Sequence, residues 1–397
     1  MLDNLRGYTL NPMKITHYFD IAASHPFLSP RVQKKIEECL SMRLGNASSV
    51  HLEGRQSRKI LRQSRECVAQ VLDAQPEEVI FTSGSTEALN LALHTAIHTH
   101  TSKTDLVSTA FEHAALREPL QYAAQQGHSL SYLSYASLYA QDAAHELNLE
   151  KTHPLTPTRP VILATHYAHH HTGYLMPMSA LHTLFRKYQA TFILDATQAG
   201  VDLPRLWSKH SYVRYLALSG HKIGAPTGVG VLLARHYAPL IPMLQGGPQE
   251  NNRRAGTESI LLIAALAEAL SELQDNQAQQ RIHLNALVDC LETALADIAG
   301  IRFYTNTARV AGISAFGVIG IRAITLVDAL SQLGYSIASS AACESTEETA
   351  PLGLLALGMT RDRASEVVRV SCACTHTQAE VLNLATAIKQ VVAQVRP

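Results

Sequence analysis

At 397 residues the chain is long enough to bury a large core and to divide into two domains. Thirty-three basic residues balance thirty-three acidic ones, so there is no bulk attraction to nucleic acid or to an anionic membrane surface. The apolar runs fall short of the roughly 18–20 residues that span a bilayer, the first residues lack the apolar centre of a secretory signal, and six cysteines without a C-x-x-C pair are too sparse for a disulfide scaffold; a reducing, cytoplasmic setting is expected.

In chain order, "SPRVQKKIEECLSMRL" predicts a helix with Val32, Ile36, Cys39, Leu40 and Leu44 on one face. "RQSRKILRQSRECVAQVLDA" repeats that period with Ile60, Leu61, Val68, Val71 and Leu72. The short apolar runs "EVIFTS", "PVILAT", "TFILD", "YLALS" and "GVGVLLA" read as buried strands alternating with helices. Together they predict a large α/β domain over residues 26–258, with the proline-bearing stretch 145–160 as a surface connection inside it. A helical region from near Ser259 towards residue 298 opens a smaller α+β domain over 259–397, to which an arm of residues 1–25 contributes. The last helix starts on a capping box, Thr377 and Glu380, and buries Val381, Leu384, Ile388 and Val395.

Three stretches carry chemistry. In "ALSGHKIGAPTGVG", Lys222 follows an apolar strand among glycines; a loop lysine is ordinarily solvated, but one held against apolar surroundings can form a Schiff base. Asp195 ends the strand "TFILD", where α/β domains bind ligands, although a helix N-cap is the alternative. In "EVIFTSGSTEALNLAL", strand, Ser-Gly-Ser-Thr and helix follow one another. The helix start and the hydroxyls of Ser85 and Thr86 suit a phosphate, or simply cap the helix. A Schiff-base lysine, an acid for a pyridinium nitrogen and a phosphate-binding helix start describe one cofactor, pyridoxal 5′-phosphate (PLP).

With these segments in hand, the chain resembles the class V, fold-type I PLP enzymes, and among them the NifS/IscS-type cysteine desulfurases. The likeness runs from "YFDIAASHPFLSPRV" through "LGNASSVHLEGR", "FEHAAL", "HHHTGYLMP", "LDATQAG" and "GGPQENNRRAGTES" to "SAACES" and "VRVSCACTHT". It implies a large domain with a mostly parallel sheet flanked by helices, plus a smaller C-terminal α+β domain. Carried over by position, it implies Lys222 as the Schiff-base lysine, Asp195 on the pyridine nitrogen and Gln198 on the ring oxygen. Ser85, Thr86, Ser219 and His221 would hold the phosphate, and Thr257 would reach it from the partner subunit of a homodimer with composite active sites. His113 would stack on the ring and move protons. Arg369, with Asn46, would hold the substrate carboxylate, a bidentate task that suits guanidinium. Cys343 would accept sulfur as a persulfide, which makes L-cysteine the substrate and an unidentified protein the eventual sulfur acceptor. Cys372 and Cys374 alternate on a strand and are expected to pack.

Four histidines crowd "ATHYAHHHTGYLMP": His166, His169, His170 and His171. "HHHTG" falls where the family carries an "NNETG"-like turn, so His170 replaces the asparagine that hydrogen-bonds the ring oxygen, with His169 and His171 beside it. Imidazole can donate the same bond but is bulkier and can carry charge. Adjacent imidazoles also bind Zn or Ni, but three from one short turn are expected to project differently, and no Cys or Asp nearby completes a set, so no metal is assigned. Three functional alternatives stand beside a desulfurase: another PLP enzyme, such as a lyase acting on selenocysteine or a C–S bond or an aminotransferase, which the Cys343 loop disfavours; a catalytically weak sulfur-relay or scaffold subunit; and a metal-binding module using the histidines. The balanced charge argues against direct nucleic-acid binding as a role.

Overall fold

The computed structural model of the protein describes residues 17–134, 149–150, 155, 158–304, 308–339 and 352–396. Cys343 and most of the 145–160 connection lie outside the described residues. Among the described residues no helix is long and apolar enough to cross a membrane.

A short strand β1 (His17–Tyr18) precedes α1 (Pro30–Ser41) and α2 (Leu52–Leu72). Ser29 caps α1 by accepting from the Val32 N–H, and Pro30 supplies a preset φ at its first position. The chain then alternates through β2 (Val79–Thr82), α3 (Ser85–His98), β3 (Asp105–Thr109), α4 (Ala114–Gln125), β4 (Ser129–Leu133), β5 (Leu149–Glu150), β6 (Val161–His166), α5 (Met178–Tyr188), β7 (Thr191–Asp195), β8 (Tyr215–Ser219) and β9 (Gly230–Ala234). These strands form one sheet in the order β2-β9-β8-β7-β6-β3-β4-β5. The run from β8 to β4 is parallel, while β9 is antiparallel to both β2 and β8, and β5 is antiparallel to β4. Every residue of β2, β3, β6, β7, β8 and β9 is buried, as expected of strands covered by helices on both faces.

The helical region after Ser259 is two helices, α6 (Ile260–Asp275) and α7 (Gln277–Leu295), parted at Asn276. The break moves the chain from one core to another. Ile263, Leu266 and Leu270 of α6 join the core of the large sheet and pack α1 and α2 against it, whereas Leu284, Leu287 and Leu291 of α7 belong to a second core. That core underlies a four-stranded antiparallel sheet, ordered β10-β11-β14-β13, from β10 (Ile301–Phe303), β11 (Ile313–Val318), β13 (Ala338–Ser339) and β14 (Val367–Ser371). It is covered by α7, α8 (Ala323–Gln332) and a terminal helix, Gln378–Val395, whose Thr377–Glu380 capping box is present. β1 pairs with β12 (Tyr335–Ser336), and Phe19 is fully buried in the second core.

Two packing expectations need correction. Leu40, in the last turn of α1, is 69% exposed: the face that α1 turns to α6 centres on Val32, Ile36 and Cys39, and Leu40 stands about 40° beyond Ile36, at its margin; Leu44 lies beyond the helix end. Of the two late cysteines only Cys372 packs in the second core. Cys374 follows β14 and is exposed.

Candidate functional site

The parallel strands β6, β7 and β8 all end on one edge of the sheet, at His166, Asp195 and Ser219, and β3 ends beside them just before His113. In an α/β sheet this edge is where the loops leave room for a ligand. Here they enclose a cavity of about 310 Å³ whose walls include Ser85, Thr86, His113, His170, Asp195, Gln198, His221, Lys222 and Arg369. Nine residues predicted from scattered segments therefore meet around one space. Ser219 is buried at the end of β8 behind this wall. Thr257 and Asn46 are exposed and outside the cavity; the Asn46 Oδ1 accepts from the Ser48 N–H at 2.8 Å. A second cavity of about 320 Å³ shares Gln198 and Lys222 with the first, but its other walls are mainly apolar side chains and it meets neither Arg369 nor the start of α3.

Asp195 is buried, and its Oδ1 accepts from the Thr197 N–H at 2.9 Å, which leaves the second carboxylate oxygen for the cavity. The Lys222 Nζ donates to the carbonyls of Ala22 and Ala23 at 2.6 and 2.7 Å. Gln198 Nε2 donates to the same Ala22 carbonyl at 2.7 Å, so the turn after β1 gathers both side chains. His221 joins that turn through Ser24 Oγ at 3.3 Å, and burial lowers its pKa, with Lys222 adding to the shift.

Ser85 and Thr86 open α3, a helix of 14 residues whose first N–H groups face an anion favourably. Glu87 in the same turn would oppose one. Burial pushes its pKa up, but hydrogen bonds from Arg254 and Ser83 outweigh that and hold it below the usual range. Its charge is thereby spent on Arg254, 2.8 Å away. Gly230 lets β9 approach this turn: a Cβ there would lie 2.6 Å from the Gly84 Cα.

His113 is the N-cap of α4; its Nδ1 accepts from the Ala115 N–H at 3.1 Å, which places the proton on Nε2. Burial lowers its pKa against the opposing pull of Asp195. Of the three consecutive histidines only His170 lines the cavity; His169 and His171 are each 1% exposed. As expected from the short turn, the three side chains do not point into one space, although their rings stay in contact. The centroids of His170 and His171 are 4.0 Å apart, those of His169 and His170 4.8 Å, and His113 stands edge-on to His170 at 5.4 Å. Burial, reinforced by neighbouring imidazoles and Arg369, lowers the pKa of His169 and His170 well below the ordinary value, and burial takes that of His171 down to about 3. The cluster is therefore a neutral, closely packed wall. Among the described residues no group of three His, Cys, Asp or Glu side chains is arranged to hold a metal ion.

Arg369, at the middle of β14, is 2% exposed. It donates to the His170 carbonyl at 2.5 Å and to Asp20 Oδ1 at 2.7 Å, while Nε has no partner among the described residues. A buried guanidinium with an unused donor beside a cavity is suited to a carboxylate.

Sequence reasoning passed over Asp20 and Thr197, and named His166 in the histidine cluster without giving it a role. His166 is the last residue of a strand whose neighbour in register is Asp195, so both side chains leave the same edge on the same face, a register that only the tertiary structure decides.

Comparison with known proteins places the chain in a family. The family Aminotransferase class-V matches residues 17–384. The chain belongs to that family. Among relatives of this class-V chain, a putative cysteine desulfurase IscS 1 from Bacillus subtilis is 29% identical over 94% of this chain and 98% of its own length. The cysteine desulfurase NifS of Azotobacter vinelandii is 30% identical over 89% and 87%. Among solved structures, a NifS-like protein superposes with a TM-score of 0.84 at 24% identity, covering 96% of this chain and all of that one. The cysteine desulfurase CsdA of Escherichia coli superposes at 0.80 and 23%, covering 96% of each. The class-V fold, an α/β domain with a mostly parallel sheet, is thus the fold of this chain.

Proposed function

We propose that this protein binds PLP and is a cysteine desulfurase, converting L-cysteine to L-alanine and leaving the sulfur on Cys343. The observation that carries the reading is the single cavity into which the start of α3, Asp195, Lys222 and Arg369 are brought from separate elements. An amine, a buried carboxylate, a helix N-terminus and a buried guanidinium answer the aldehyde, the pyridine nitrogen and the phosphate of PLP and the carboxylate of an amino acid. When bound, the cofactor supplies an electron-withdrawing ring that acidifies the substrate Cα–H.

The chain's own residues supply the rest. Arg369 holds the substrate carboxylate and so fixes which bond at Cα faces Lys222. Asp195 keeps a proton on the pyridine nitrogen. Lys222, whose Nζ donates to the Ala22 and Ala23 carbonyls, moves the Cα proton once its amine is free. His113, neutral and with Nε2 towards the cavity, takes the proton of the substrate thiol. The Cys343 thiolate then attacks the substrate sulfur: the S–S bond forms as the Cβ–S bond breaks, and the carbon fragment is protonated to alanine. L-Cysteine and one enzyme thiol thus give L-alanine and one enzyme persulfide. The family resemblance and the relatives' names support this activity; the resemblance alone also implies a homodimer in which Thr257 serves the partner's phosphate site.

An anaerobic single turnover with PLP and L-cysteine tests it. Wild type is expected to give one alanine and one persulfide per site, Lys222→Ala neither, and Cys343→Ser no persulfide. Alanine formed without regard to Cys343 would point to a lyase, and absence of PLP uptake to a scaffold subunit.

A further inference from the structure

His166 is 4% exposed, yet its ring lines the same cavity as Asp195 and Lys222. Its Nδ1 lies 2.9 Å from Oε2 of Glu112, a carboxylate only 1% exposed. The other oxygen of Glu112 accepts from the Thr109 hydroxyl at 2.5 Å. A carboxylate this deeply buried is stable only if its acceptors are filled, so the pair holds the proton on Nδ1 and fixes the plane of the imidazole. Nε2 is then the ring atom left to gain, lose or share a proton, and it has no hydrogen-bond partner among the described residues. A buried polar atom without a partner beside a ligand cavity is completed by the ligand. His166 is directly in register with Asp195 on the adjacent parallel strand, so the two side chains stand next to each other at the cavity floor.

We infer that His166, oriented by Glu112 and Thr109, is a further cofactor-contacting residue, whose Nε2 meets the edge of the PLP ring beside Asp195 and adjusts how the ring holds its proton. This rests on the proposal that the cavity binds PLP. Glu112 and Thr109 do not line the cavity and act as positioning residues through His166. The groups that face His166 are Glu112 from the loop after β3, His169 from the turn after β6 at 5.6 Å between ring centroids, and Asp195 from β7. Across the cavity stand His113, Lys222 and Arg369. None of these three hydrogen-bonds to His166 Nε2, in keeping with a ligand as the partner.

The test uses the full chain reconstituted with PLP and no substrate. PLP affinity is read by quenching of intrinsic fluorescence, and the visible absorption of the bound cofactor is titrated with pH, for wild type, His166→Phe, His166→Gln and Glu112→Gln. Loss of one such hydrogen bond predicts about fivefold weaker PLP binding in His166→Phe and a shift of the colour midpoint by roughly half a pH unit or more. Glu112→Gln should move the midpoint in the same direction by less, and His166→Gln, which keeps a polar group near the Nε2 position, should recover part of the affinity. Unfolding in the absence of PLP separates these effects from a fold defect, since a merely structural role would lower stability in both residue-166 variants and leave affinity and midpoint at the wild-type values. That pattern would overturn the inference. Wild-type protein that takes up no PLP would instead overturn the cofactor reading, and the assignment of His166 with it.

Discussion

Arg369 and Asp20 are joined across 349 residues of sequence by a 2.7 Å ion pair that is almost wholly buried on the arginine side. The pairing exists because residues 19–22 run along β14: the Ser371 N–H donates to the Phe19 carbonyl and the Ala22 N–H to the Ser371 hydroxyl, at 2.8 and 2.9 Å. The guanidinium proposed to receive the substrate is therefore held ready by a carboxylate and a carbonyl before any ligand arrives. Removing the carboxylate leaves a buried charge short of its partner. Asp20→Asn is expected to lose about 3 kcal/mol of stability in urea unfolding; Arg369→Lys, which cannot span both partners and a carboxylate, is expected to raise the KM for L-cysteine at least about tenfold.

The histidine wall predicts an acid-sensitive fold. His169, His170 and His171 have pKa values lowered by burial, that of His171 to about 3, so the folded protein holds them neutral while the unfolded chain takes up protons below about pH 6.5. Their contribution to stability is complete above that pH and is lost as pH falls towards the folded values. Each group can contribute up to about 1.4 kcal/mol per pH unit in that window. Urea unfolding at pH 7.5, 6 and 5 should show a progressive loss that His171→Gln makes shallower. A flat profile would contradict neutral burial.

A glycine outside the cavity should govern the phosphate end of it. At Gly230 a methyl group would meet backbone at 2.6 Å from the Gly84 Cα and 2.7 Å from the Leu218 carbonyl. Neither can move without shifting β8 or the turn that begins α3. Gly230→Ala is expected to cost about 1–3 kcal/mol of stability and to weaken PLP binding about tenfold, read by thermal unfolding and by cofactor titration.

Glu250 is a second buried charge that supports the same region. It accepts from Arg65 through both oxygens, at 2.5 and 2.9 Å, and from the Phe81 N–H of β2 at 3.0 Å. Glu250→Ala strands Arg65 and the Phe81 amide together, for an expected loss of about 3–5 kcal/mol in chemical unfolding, and Glu250→Gln should lose less because the amide oxygen still accepts from the strand.

The strands, most helices and the central acid, lysine and helix start were legible in the sequence because each is a local signal. Apolar runs of four to six residues bounded by polar turns specify buried strands, and strand–turn–helix spacing specifies a helix N-terminus at the sheet edge. Local period alone did not place Leu40, because which side of α1 meets α6 depends on a helix more than two hundred residues away. The four histidines show the division most clearly. The sequence, through its family resemblance, placed three of them in a turn beside the proposed cofactor site. Only the tertiary structure separated them, burying His169 and His171 in a neutral wall and leaving His170 and His166 at the cavity. It alone brought Glu112 from another strand's end to the His166 ring and Asp20 from the first strand to Arg369. Such partners are fixed by strand order and register, which depend on how non-adjacent segments pack, and carry no signature in the residues next to them.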